Sequence, residues 1–203
     1  MTKGTRKERE KLAKRQEILR AAREVFAEKG LHAATLDQIA EKAEFAKGTL
    51  YCYFSSKDDL FLSMLEDEIE RFSESLRSVL SRDLPPPEIM SRLVKSMMRS
   101  FGENMDLMRL LTQERSALTT CKGDLMMKRF LPRFLKLNQL VATQVRRGIE
   151  QGAFRRVDPD RAATAIFNLC HGSAMSSFLN RRKVGEPEEI KFLTDLILDG
   201  ISA

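Results

Sequence analysis

The chain has 203 residues, 42% apolar and 32% charged, with 35 Lys and Arg against 29 Asp and Glu for a net charge of +6. No uninterrupted apolar run approaches the ~18 residues that span a bilayer, and the charged N-terminus carries no apolar signal segment, so a cytoplasmic chain with no membrane partner is expected. Cys52, Cys121 and Cys170 are far apart and odd in number, which suits reduced thiols rather than a disulfide frame.

Only 10 Gly, 6 Pro and 2 Tyr stand among many Leu, Met, Ala, Glu, Lys and Arg, a balance that predicts an all-α fold. Residues 1–20 hold eight bases against three acids, so most of the net charge sits in the leading segment. Such a segment suits phosphate or another anionic surface, or is a solvated tail. The first helix is expected from about Arg6 to Lys29, with Leu12, Ile18, Leu19, Ala22, Val25 and Phe26 as its apolar stripe and Gly30 as its stop. Thr35-Leu36-Asp37-Gln38 reads as a capping box that opens the second helix, which turns Leu36, Ile39, Ala40 and Ala43 inward. Glu44-Phe45 fills a turn. A third helix is expected from Ala46 or Lys47 to about Phe54, with Leu50 and Phe54 on the packed face and Lys47, Gly48 and Tyr51 on the exposed one. Ser56 caps a long fourth helix with Asp58 and Asp59 in its first turn.

Leu84-Pro85-Pro86-Pro87 is the clearest linker. Beyond it helices are expected at about 87–101, 104–118, 122–151, 158–181 and 186–201, about nine in all. Pro132 should kink the long 122–151 segment or mark its start, and Asp158-Pro159 supplies the next helix with an N-cap and a first-turn proline.

The stretch Gly30 to Leu60 resembles the TetR family of transcriptional repressors. The residues that carry the likeness are Gly30, Thr35, Ile39-Ala40, Ala46-Lys47-Gly48-Thr49-Leu50-Tyr51, Tyr53-Phe54 and Ser56-Lys57, at the family's spacing with no gap. The resemblance implies a helix-turn-helix DNA-binding domain over 1–56 and a helical effector-binding and dimerisation domain over 57–203, joined by helix 57–81. It also implies no enzyme activity. Thr35, Lys47, Gly48, Thr49, Tyr51, Tyr53 and Lys57 then become the DNA-contacting residues. Lys47, Thr49 and Tyr51 would reach base edges. The hydroxyls of Tyr51, Tyr53 and Thr35 and the amine of Lys57 would meet phosphates, and Gly48 would permit close approach. In two places the chain departs from the pattern. Glu44 stands where the family has a small residue, often glycine, and Ala46 replaces the usual serine cap, a loss of about 1 kcal/mol.

One recognition helix buries too little surface to be specific, so a homodimer on a palindromic operator is expected. Small residues along 158–181, Ala162 and Ala165 among them, allow close helix approach. Ile190, Leu193, Leu196 and Ile197 offer an apolar face on the last helix, and together they predict a four-helix dimer interface. Met98, Phe101, Met105, Met108, Phe130, Phe134, Phe167 and Met175 either line a pocket for a hydrophobic small-molecule effector or fill ordinary core. Asn168 and His171 would be polar anchors of that pocket. The chain has no His-x-x-x-His, no Cys-x-x-Cys and no glycine-rich phosphate loop, so no metal or cofactor is expected. The competing readings are a small helical enzyme and a helical adaptor or membrane-surface protein. The first is opposed by Cys170 and His171 being adjacent, which on a helix sets them ~100° apart. The second is opposed by the acids interspersed along the basic first helix.

Overall fold

The computed structural model describes residues 5–107, 110 and 122–202, and within 122–150 the side chains of 122–127 and 130 are also outside the description. The expected pocket residue Met108 and the side chain of Phe130 therefore lie outside the described residues. The named helices among the described residues are α1 (Arg6–Ala33), α2 (Leu36–Lys42), α3 (Lys47–Tyr51), α4 (Lys57–Leu80), α5 (Pro86–Glu103), α6 (Lys122–Glu150), α7 (Pro159–Leu179) and α8 (Pro187–Ile201), and the expected helix 104–118 lies largely outside the described residues. Among the described residues there is no strand, only one isolated bridge between Phe154 and Ser202. The fold is all-α, as the composition predicts.

The described residues form two compact units that divide inside α4, between Glu68 and Ile69, rather than at its start. The reason is what the first half of α4 touches. Phe61 meets Phe26 of α1 edge-to-face at 5.5 Å. Gln16 donates to Asp67 at 2.8 Å, and Arg23 pairs with Glu68 at 2.9 Å with both side chains largely out of water. The first unit thus takes α1, α2, α3 and that half of α4, together with residue 110 and the start of α6 as far as Met126.

In the first unit α1 starts at a capping box between Thr5 and Glu8. It buries Ile18, Leu19, Ala22, Val25 and Phe26, whereas Leu12 of the expected stripe is exposed. Gly30 breaks the helix at φ 76°, a backbone angle glycine adopts without steric cost, and one further turn runs to Ala33. Thr35 caps α2 by accepting from the Gln38 amide while the Gln38 side chain returns to the Thr35 N–H. The α3 helix ends at Tyr51, earlier than the expected Phe54. The N–H groups of Cys52 and Tyr53 reach back three residues, to Thr49 and Leu50, which tightens the last turn out of α-helical geometry. Ser56 caps α4 by accepting from the Asp59 N–H at 3.0 Å, and the Asp59 carboxylate accepts from the Ser55 N–H at 2.9 Å.

The second unit is one apolar core. Ile89, Met90, Leu93, Val94, Met97 and Met98 of α5 are fully buried against Leu76, Val141, Val145, Ile166, Cys170 and Ala174. Each such side chain contributes roughly 1.5–3 kcal/mol by leaving water. Pro132 lies within α6 rather than at its start. Asp158 caps α7 by accepting from the N–H groups of Asp160 and Arg161. The chain after α6 is clasped to the end of α8, where Arg155 donates its N–H to Ile201 O at 2.8 Å and its Nε to Gly200 O at 2.7 Å. The Phe154 ring then occupies the place where a side chain at Gly148 would begin, so Gly148→Ala forces that clasp apart.

Candidate nucleic-acid interface

The short α3 helix is two-faced. Leu50 is fully buried, as is Phe54 just beyond the helix, while Lys47, Gly48 and Tyr51 are exposed. Tyr51 is 52% exposed, which is high for a ring of that size. Thr49 and Tyr53 are half-buried, and the Tyr53 ring centre lies 6.4 Å from that of Phe54. The buried Phe54 ring also has the Arg15 guanidinium 5.3 Å from its centre, which ties the far end of the turn to α1.

Two of the basic groups are already engaged. Lys47 Nζ lies 2.8 Å from Asp37 of α2, and that hydrogen bond raises its pKa and keeps it charged. An exposed pair of this kind is weak in water, so a phosphate can replace Asp37. Lys57 Nζ donates to the carbonyls of His32 and Ala34 at 3.0 and 2.8 Å. It thereby satisfies the end of α1 and leaves one of its three N–H donors for another acceptor. Replacing Lys57 therefore touches the fold as well as any phosphate. Thr35 is exposed and its oxygen accepts from Gln38, so its hydroxyl proton remains directed by whatever approaches.

The two departures in the turn have structural consequences. Glu44 adopts φ 59°, the left-handed region where a glycine would be unstrained. Ala46 opens α3 with no side-chain cap. In the opposite sense, a methyl group added at Gly48 would meet nothing within 4 Å, so the free protein gives no packing reason for glycine there.

In the second unit, five rings gather at one place. Phe167 lies 5.1 Å from Phe134, 6.0 Å from Phe101 and 6.4 Å from Phe72, and His171 stacks on it at 6.2 Å. Phe72 of α4 joins the expected residues here, 5.6 Å from Phe101. Met98 is buried and Met105 and Met175 are half-buried. Asn168 is exposed, whereas His171 one turn on is half-buried beside Phe101 and Phe167. Burial lowers the His171 pKa and favours the neutral imidazole. Cys170 is fully buried and its thiol is pushed up to about 12 by burial, with the Glu189 charge adding to it, so it is not a thiolate nucleophile at neutral pH.

The expected dimer face of α8 is corrected. Leu193 and Ile197 are 3% and 4% exposed and pack into the unit's own core, with Ile190 half-buried beside them. The apolar residues α8 turns to solvent are Phe192, 65% exposed, and Leu196, 47% exposed. On α7, Ala162 is half-buried against the core, whereas Ala165, Leu169 and Leu179 are exposed. No helix among the described residues is long and apolar enough to cross a membrane.

The comparisons with known proteins agree with this geometry. Residues 18–64 match the model of the tetR family of bacterial regulatory proteins, and residues 83–175 match that of a tetracyclin repressor-like C-terminal domain. The chain is similar to the fatty acid metabolism regulator protein of Bacillus subtilis, 23% identical over 95% of this chain and 98% of that one. It is also similar to the transcriptional activator FasR of Mycolicibacterium smegmatis, 40% identical over 33% of this chain and 31% of that one, so it spans about a third of that relative. Among solved structures, FadR from Bacillus subtilis in complex with stearoyl-CoA superposes with a TM-score of 0.71, at 21% identity, over 91% of this chain and 95% of that one. The exposed polar face of α3, the helical second unit and the two family models that match one after the other place this chain in the TetR family of transcriptional regulators, DNA-binding proteins rather than enzymes.

Proposed function

We propose that this chain is a cytoplasmic repressor that binds a palindromic operator as a homodimer and leaves it when an apolar small molecule binds its second unit. The observation that carries the reading is the pair of faces on α3. Leu50 anchors the helix while Lys47, Gly48 and Tyr51 are held out to solvent, an arrangement that suits entry into a major groove. Tyr51 and Lys47 are the residues of the set best placed to touch bases. Thr35, Tyr53 and Lys57 fit phosphates, and Thr49 is partly withdrawn.

The exposed apolar side chains Phe192, Leu196, Leu169 and Leu179 support a dimer through α7 and α8, with two helices from each subunit. The ring cluster around Phe167, with adaptable Met98, Met105 and Met175 nearby, supports an apolar effector, and the stearoyl-CoA held by the Bacillus subtilis protein gives the ligand class to try first. Because α4 is one continuous helix shared by both units, a change around Phe72 has a covalent route to the DNA-binding unit. The name of the FasR relative favours a second reading, an activator that uses the same DNA surface.

Selection of bound duplexes from a random pool tests the proposal, and a palindrome with half-sites about one helical turn apart is the expected result. Tyr51→Ala should then weaken operator binding about tenfold or more while unfolding stability stays within ~0.5 kcal/mol. Unchanged affinity would remove α3 as the reading helix. Transcription from the selected site with and without the protein separates repressor from activator.

A further inference from the structure

A groove of about 710 Å³ opens on the second unit, and Met105 of the expected effector pocket is part of its lining. That volume is in the range of small-molecule sites. One wall is α5, with Lys95 and Arg99, and the other is the loop between α7 and α8, with Arg181, Arg182 and Lys183. Met105, Phe178, Val184 and Ile190 supply its apolar surface. Glu103 is the only acid among the described residues that lines it, and Arg99 pairs with Glu103 at 2.7 Å. Lys95, Arg181, Arg182 and Lys183 make no ion pair among the described residues. Four like charges around one concave apolar surface repel one another and focus a positive potential there.

The walls are built rather than incidental. A side chain at Gly102 would begin 3.0 Å from the Val184 carbonyl oxygen, and one at Gly185 would begin 3.0 Å from that of Met98. Two glycines thus let the basic loop press onto α5, and at φ 76° Gly185 also has a backbone angle that suits glycine. The Glu189 carboxylate fixes the same loop. It accepts from the Gly185 N–H at 2.9 Å and from the hydroxyls of Ser173 and Ser177 at 2.6 and 2.8 Å. Arg181 is itself held at φ 55°.

We infer that this groove binds the anionic head of an amphipathic effector, with the adjoining apolar chain lying over Met105, Phe178, Val184 and Ile190. The inference rests on the reading of the second unit as the effector unit and adds a charge requirement to it. Phosphate and carboxylate heads share the chemistry the groove offers, and charged hydrogen bonds from Arg suit either.

The test is calorimetric titration of the full-length protein with stearoyl-CoA, stearate and the uncharged monoester of stearic acid with glycerol. At least one anionic ligand should bind tenfold or more tightly than the uncharged one. The gap should shrink several-fold in the triple variant Lys95→Gln, Arg182→Gln, Lys183→Gln, and further when the three become Glu. A preference for stearoyl-CoA over stearate identifies phosphate as the head, and the reverse identifies carboxylate. Equal affinity for charged and uncharged ligands, or a gap that survives in both variants, overturns the groove assignment. So does an absence of anionic binding. Operator binding without ligand is measured in parallel. Its loss in the unaltered protein would sink the regulator reading itself, whereas its retention confines a failure to the groove.

Discussion

Helices α3 and α8 are both short and both have two faces, yet only α3 shows in its sequence which face is which. In α3 the faces differ chemically. Leu50 goes inward while lysine, glycine and tyrosine go out. In α8 the outward face is mixed, because Phe192 and Leu196 stand there beside the exposed pair of Lys191 and Asp195. Leu193 and Ile197 go inward, Phe192 and Leu196 go out, and polar Thr194 is buried because its hydroxyl donates to Ile190 O at 2.7 Å. A periodic pattern locates a face toward water only when one side is polar. In α8 the pattern marks the stripe that leaves water, Leu193 and Ile197 with Ile190, but not whether the unit's own core or a partner covers it.

The sharpest way to break this comparison is to strike the two stripes of α8 separately. Phe192→Asp with Leu196→Asp should leave the subunit folded by circular dichroism, shift the sedimentation coefficient to that of a monomer and abolish operator binding at concentrations where the unaltered protein is saturated. Leu193→Ala should instead destabilise the fold by about 2–5 kcal/mol in urea titrations. If the two variants behave alike, the faces have been assigned wrongly.

Gly48→Ala sharpens the α3 side of the comparison. It replaces a glycine in the first turn of α3 with open space around it, so stability should rise by up to about 0.5 kcal/mol while operator affinity falls. Unchanged affinity would mean that nothing approaches this backbone closely. In the turn before it, Ala46→Ser and Glu44→Gly should each raise stability by about 1 kcal/mol in thermal or urea melts, the first through a cap and the second by relieving the left-handed backbone. The smallest effect belongs to the second unit. The folded pKa of His171 lies below its ordinary 6.5, so between the two values the unfolded chain binds more protons. Stability is therefore full above about pH 6.5 and declines as pH falls through it. His171→Phe should reduce the loss in urea midpoint between pH 7.5 and pH 5.5.

The first unit was legible because its signals are local. The Thr35 capping box, the Gly30 stop and the Leu50 and Phe54 spacing each operate within a few residues, and each is seen in the fold. The early end of α3 was less so, since hydrogen bonds closing three residues back leave no sequence mark. In the second unit Phe72 joined the ring cluster and Asn168 left it, for reasons that lie on other helices.

By itself, the order of residues determined an all-α chain, the starts of the described helices and the polarity of α3, because capping and periodicity are properties of neighbours along the backbone. Only the tertiary structure decided that Lys57 closes the end of α1, that Leu193 and Ile197 are core, and that Lys95 and Arg99 face Arg181, Arg182 and Lys183 across one groove. Those arrangements depend on contacts between segments far apart in the chain. Their energies come from shared burial and converging charge, which no window of adjacent residues contains.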